Sequence, residues 1–164
     1  MERKNSHHSF DRTAVRELTV RSSILVLCTG NSCRSHMAEG ILRAALSPRF
    51  DVFSAGSKPA GHVHPLAITV MDEIGIDLTS HRSKSMAEFF DCRITTVITV
   101  CDRAGEACPR FPGQLHRYHW SFEDPAHATG SDDEILDSFR RVRDQIKSVF
   151  EAYAAGLIEG STSP

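Results

Sequence analysis

Two stretches of this chain stand out: SILVL at Ser23–Leu27 is a continuous apolar, β-branched run, and ITTVITV at Ile94–Val100 reads as another buried strand, β-branched at every residue. A strand with one wet face alternates apolar and polar residues. A strand that is apolar throughout needs cover on both faces, which is the situation of a strand inside a parallel sheet flanked by helices. Helical patterns lie between and after these runs. SHMAEGILRAAL places Met37, Ala38, Ile41, Leu42 and Ala45 on one face, and HPLAITVMDEIG carries Pro65 near its first turn and Gly75 at its stop. SMAEFFD reads as a short helix, and a long one runs from about Asp132 to Ala155, with Ile135, Leu136, Phe139, Val142, Ile146, Val149 and Tyr153 at helical spacing. FDVFSAG, ended by Gly56, and LHRYHWSF supply two further strands. The alternation predicts an α/β fold: a three-layer, doubly wound, parallel four-stranded sheet with helices on both faces.

At 164 residues the chain holds one domain of ordinary size. The polar, aperiodic residues 1–21 read as a flexible N-terminal arm, 22–158 as a single catalytic domain and 159–164 as a frayed tail. A formal net charge of -2 argues against a nucleic-acid partner, since such domains carry a basic excess. No apolar run is long enough for a membrane span, and the first twenty residues lack the apolar core of a secretory signal, so the expected location is cytoplasmic. The five cysteines, Cys28, Cys33, Cys92, Cys101 and Cys108, make an odd count. In a reducing compartment that suggests catalysis, redox work or metal binding rather than a disulfide framework.

Ligands of doubly wound sheets sit beyond the carboxyl ends of the strands. The first such loop is CTGNSCRS, Cys28–Ser35, directly before a helix. A loop of this length can turn the backbone N–H groups of Thr29, Gly30, Asn31, Ser32, Cys33, Arg34 and Ser35 inward, and the helix start adds its positive dipole end. Arg34 can close the ring with its guanidinium fork. The product is a cradle for a tetrahedral oxyanion, with a nucleophile inside it. The same positive elements are expected to depress the Cys28 pKa. After ITTVITV comes CDRAGEACP, in which Cys101 and Cys108 are separated by six residues. A disulfide needs the two Cα atoms within about 4.4–6.8 Å, which a mobile segment Asp102–Ala107 would allow. A zinc site built from the two cysteine pairs is the competing reading; its spacing is poor, and no metal is expected. Cys33 reads as structural, and Cys92 as a small buried hydrophobe or a surface thiol.

CTGNSCRSHMAEG resembles the signature loop and following helix of the low-molecular-weight tyrosine phosphatase superfamily, and more narrowly its thioredoxin-coupled arsenate reductases. The resemblance continues through SAG, VITVCDRAGEACP, HWSFEDPA and FRRVRDQIK. It implies that Cys28 attacks arsenate, Cys101 attacks the Cys28 sulfur to release arsenite, and Cys108 takes the disulfide onward to thioredoxin, the electron donor. It implies no tightly bound cofactor. The Asp of a D-P pair is the general acid of such enzymes, a role that falls on Asp124, with Glu123 pointing away. Arsenate, phosphate and sulfate are the expected oxyanion partners. The alternative is a phosphatase that hydrolyses a Cys28 phosphocysteine; a non-catalytic oxyanion-binding or redox-sensing protein is a third reading. Some reductases of this type hold a potassium ion, whose residues carry over to Asn31, Glu39 and Ser54. Lys84 stands where a further Asp is expected, so its ammonium takes the cation's place and potassium dependence is not expected.

Overall fold

The computed structural model describes residues 21–102 and 108–160; most of the expected arm, the segment 103–107 and residues 161–164 lie outside the described residues. Four strands form one sheet: β1 (Ser22–Cys28), β2 (Phe50–Gly56), β3 (Thr96–Thr99) and β4 (His116–His119). Their order is β2-β1-β3-β4, and every pairing is parallel. β1 is buried from Ser23 to Cys28, as its unbroken apolar run requires. β4 is exposed at all four residues because it is an edge strand, and its sequence HRYH carries polar side chains accordingly.

Three α-helices pack on this frame: α1 (Arg34–Leu46), α2 (Pro65–Asp72) and α3 (Asp132–Gly160). α1 and α2 both pack against α3. Fully buried Phe139 and Phe150 of α3, Met37 and Leu42 of α1 and Met71 of α2 meet Leu25, Leu27 and Ile98 of the sheet in one core. Burying a side chain of this size contributes about 1.5–3 kcal/mol. Proline at the first turn of α2 follows the His64 N-cap, whose ring accepts from the Leu66 N–H. SMAEFFD forms a single 3-10 turn, Met86–Phe89, closed by a capping box from Ser85 and Glu88.

β3 and β4 are shorter than the runs ITTVITV and LHRYHWSF, and three other details differ from the sequence reading. Ala45 is exposed, and Leu46 closes the apolar face of α1 instead. On α3 the buried line passes through Phe139, Val142, Ile146, Phe150 and Ala154; Val149 and Tyr153 lie at its margin. The helix also continues to Gly160, so Glu159 and Gly160 of the expected tail are helical. No helix among the described residues is long and apolar enough to cross a membrane.

Candidate active site

Cys28 ends β1 with its thiol beneath the loop that follows, 3 % exposed. Its Sγ lies 2.9 Å from Ser35 Oγ and accepts the Asn31 N–H at 3.0 Å. Asn31 reaches that position with a φ of 44°, the left-handed region that Asn tolerates better than most residues. Its side chain then locks the turn: Nδ2 donates to Ser35 Oγ and to Ser54 Oγ, both at 2.9 Å, and Oδ1 accepts the Lys84 N–H at 2.7 Å. Gly56 lets the end of β2 approach this loop. A Cβ there would stand 2.6 Å from the Thr29 carbonyl oxygen. Cys33 is the N-cap of α1 and makes no side-chain cap, so the first N–H groups of the helix remain for an anion.

Burial is the largest influence on the Cys28 thiol and pushes its pKa up, against the lowering by the Ser35 hydroxyl and the Asn31 amide. The net direction is therefore opposite to the depression expected from the loop's positive elements. Five buried residues precede it in β1 and the loop folds over it, so desolvation outweighs the hydrogen bonds. Cys33 is buried too, and desolvation, with Asp124 adding to it, pushes its thiol up to about 12. Cys92 is exposed, as a surface thiol.

Arg34 does not point at the sulfur. Its guanidinium donates to the Phe122 carbonyl at 2.8 Å and to Asp124 Oδ2 at 2.6 Å, while Asp124 Oδ1 accepts the Ala126 N–H at 3.1 Å. The D-P pair thus caps a 3-10 turn, Pro125–His127, and holds the Asp124 carboxylate over Arg34. Glu123 faces outward and pairs with Arg141 at 3.2 Å. Cys101, just after β3, is buried with its Sγ 3.4 Å from Thr29 Oγ1. A charge on it raises the Cys28 pKa, so the two sulfurs are electrostatic neighbours. Cys108 is half-buried, and burial pushes its thiol up, with Arg117 acting the other way. All five cysteines are free thiols.

One cavity of about 370 Å³ is lined by Thr29, Gly30, Arg34, Cys101, Asp102, Asp124 and His127. Arg34, the Asp124 carboxylate and the second thiol, Cys101, therefore meet at one mouth, beside the Thr29 and Gly30 that follow the buried Cys28. Ser32 lies in the same loop, where its carbonyl accepts the His64 N–H at 2.9 Å. The only ring at the mouth among the described residues is His127. Tyr118 and Tyr153 pack on each other and on Trp120 beside the edge strand.

Behind the cradle is a buried polar cluster that sequence reasoning covered only in part. Glu39 is 1 % exposed; its Oε1 pairs with Arg43 at 2.9 Å and its Oε2 accepts from Ser54 Oγ at 2.5 Å. Lys84 Nζ lies 3.7 Å from the same Oε2 and donates to the Arg82 carbonyl at 3.1 Å. His36 and His81 complete the cluster, and neither was singled out from the sequence. His36 is fully buried, and burial with the nearby Lys84 and His81 charges lowers its pKa to about 3, so the ring is neutral. A histidine inside the apolar face of α1, three residues before Glu39, was the available signal. Asp102 and His127 were also missed as lining residues. Both follow motif residues directly in the chain.

The model of the low molecular weight phosphotyrosine protein phosphatase family matches residues 23–162. An arsenate reductase of Halalkalibacterium halodurans is 44 % identical over 131 residues, 80 % of this chain and 94 % of that one. A solved arsenate reductase in its phosphate-binding state is 32 % identical, with a TM-score of 0.70, over 82 % of this chain and 98 % of that one. The thioredoxin-dependent arsenate reductase of Corynebacterium glutamicum is 26 % identical, with a TM-score of 0.61, over 82 % of this chain and 63 % of that one. Matched from β1 to the end of α3, the chain belongs to the low molecular weight phosphotyrosine protein phosphatase family, among its arsenate reductases.

Proposed function

We propose that this protein reduces arsenate to arsenite through Cys28, Cys101 and Cys108, with thioredoxin restoring the thiols. The observation that carries the reading is the second thiol at the mouth: Cys101 lines the cavity of the Cys28 loop. Hydrolysis of a phosphocysteine requires only a water there. Reduction requires two electrons, and two thiols becoming one disulfide supply them.

The arsenate oxyanion takes the N–H groups of Thr29 to Ser35 and draws Arg34 from Asp124 toward itself. Cys28 as thiolate attacks arsenic, an S–As bond forms, and one oxygen leaves as water with a proton from Asp124. Cys101 then attacks the Cys28 sulfur. The S–S bond forms, the S–As bond breaks, and its electron pair stays on arsenic, which departs as arsenite. Cys108 attacks Cys101, which frees Cys28 and moves the disulfide away from the cradle, where the thioredoxin dithiol reduces it. The small cavity without an aromatic grip suits an inorganic tetrahedral anion better than an aryl phosphate. Slow phosphomonoester hydrolysis through the same Cys28 is the expected side reaction.

The test is arsenite formation from arsenate with thioredoxin, thioredoxin reductase and NADPH. Multiple turnovers that stop when thioredoxin is omitted support the proposal. Turnover that needs glutathione or mycothiol instead would overturn the choice of donor, and phosphatase activity without arsenite would overturn the reaction.

A further inference from the structure

The cluster behind the cradle has a geometry that ion pairing alone does not call for. His36 Nδ1 and His81 Nδ1 are 3.2 Å apart, and they lie 3.8 and 3.7 Å from Glu39 Oε2. Three points with these separations lie on a circle of radius about 2.1 Å, the bond length of zinc to imidazole nitrogen and carboxylate oxygen. We propose that His36, His81 and Glu39 form a binding site for a zinc-class divalent cation, with a fourth position left for water.

Each donor is already oriented. His36 Nε2 lies 3.0 Å from the Asn31 carbonyl oxygen, which can only accept, so Nε2 carries the hydrogen and Nδ1 presents its lone pair. Arg43 holds the other oxygen of Glu39, and Ser54 donates to the oxygen that would bind the ion. Before an ion arrives, His81 Nδ1–H donates to His36 Nδ1. Moving that hydrogen to its own Nε2 frees the second lone pair without loss of a proton. A cavity of about 420 Å³ is lined by Glu39, His81 and Lys84 together with the exposed, ion-paired Arg82 and Glu88, and gives the ion a path beside that pair.

Two imidazoles and one carboxylate select zinc, cobalt, nickel or copper over potassium or magnesium, which take oxygen shells. The Lys84 ammonium, 3.7 Å from Glu39, is the built-in competitor. Its flexible stem lets it swing into the cavity when a more strongly bound cation arrives. The site is joined to the nucleophile through one residue: Asn31 accepts from His36 at its carbonyl and donates from its N–H to Cys28 Sγ.

Co2+ titrated into the reduced full-length chain is the probe, because its absorption distinguishes nitrogen and oxygen ligands from thiolates. The expected result is one Co2+ per chain with visible d–d bands and no thiolate charge-transfer band. His81→Asn should weaken binding ~10–100-fold. Lys84→Met, which leaves every ligand in place and removes the competing charge, should tighten it about tenfold. No uptake overturns the proposal. So does uptake with a thiolate charge-transfer band that His81→Asn leaves intact, since the ion then sits on the cysteines. Unchanged affinity in Lys84→Met would also overturn it, whether or not His81→Asn folds.

Discussion

Ser35→Ala isolates the force that makes Cys28 a nucleophile. The Ser35 hydroxyl, fully buried at 2.9 Å from Sγ, is the largest influence lowering the Cys28 pKa, against a larger rise from burial. A hydrogen bond to a charged group is worth ~1.5–3 kcal/mol. Its loss therefore pushes the thiol further up and disfavours the thiolate by that energy. Burial already holds Cys28 above its ordinary value, so at neutral pH the thiolate fraction falls in proportion, ~10–100-fold. Asn31 Nδ2 keeps its bond to Ser54 but its second hydrogen loses the Ser35 acceptor, so the fold should lose about 1–3 kcal/mol. The assay is iodoacetamide alkylation of the reduced chain across pH, with the Cys28 peptide followed by mass spectrometry because exposed Cys92 reacts as well. The midpoint for Cys28 should move to higher pH in the variant, and the rising limb of arsenate turnover should move with it. An unchanged midpoint in a folded Ser35→Ala would show that the hydroxyl does not govern the thiolate.

Other expectations follow from the same contacts. Arg34→Ala should remove most arsenate turnover while the denaturation midpoint changes little, and sulfate should no longer protect Cys28 from alkylation. Cys28→Ser should abolish both reduction and phosphatase activity, whereas Cys101→Ser should abolish turnover of arsenate and spare phosphomonoester hydrolysis; multiple thioredoxin-driven turnovers in Cys101→Ser would refute the relay. Cys108→Ser should complete one turnover and stop with a Cys28–Cys101 disulfide, seen by peptide mapping. If Lys84 serves in place of potassium, exchanging potassium for a large organic cation at constant ionic strength should leave the rate unchanged, and a several-fold gain specific to potassium would contradict this. Cys33 is raised to about 12 in the fold, so the neutral thiol it favours contributes stability fully below the unfolded value near 9, and that contribution is lost as pH rises toward 12. Urea midpoints should therefore fall across that window, and less steeply in Cys33→Ala.

The sequence is most informative where one residue type answers one local demand. The unbroken apolar run of β1 could only be a strand covered twice, and the loop after it could only lie at the carboxyl edge of the sheet. Cys28, Arg34 and Asp124 were legible because each sits in a short motif whose spacing is fixed by backbone geometry. What was not legible depends on summed surroundings. Whether a thiol at a helix start is lifted or lowered is a contest between desolvation and a few hydrogen bonds, and a string of letters shows the bonds more readily than the burial. For the same reason the direction at Cys28 came out opposite to expectation. His36 and His81 are 45 residues apart and carry no motif; the bridge between Gly56 and Ser85, with the bonds of Ser83 and Lys84 to the loop, brings the second beside the first.

That bridge also ties the cradle to the cluster behind it. The Gly56 N–H donates to the Lys84 carbonyl at 2.8 Å, and the Lys84 N–H donates to Asn31 Oδ1 at 2.7 Å. The backbone at Lys84 thus clamps the end of β2 and the turn of the loop together, whatever its side chain does. This separates two roles that a single substitution would confuse. Lys84→Met keeps both backbone bonds and should leave the loop in place while removing the ammonium from Glu39. Gly56→Ala does the reverse: it keeps every charge and forces a Cβ to 2.6 Å from the Thr29 carbonyl, where neither backbone can yield cheaply. It should cost about 1–3 kcal/mol in urea denaturation. It should also slow Cys28 alkylation at fixed pH, since Thr29 and Asn31 must shift together. If Gly56→Ala were neutral in both measurements, the loop would not depend on this close approach, and the cradle's shape would have to come from Asn31 alone.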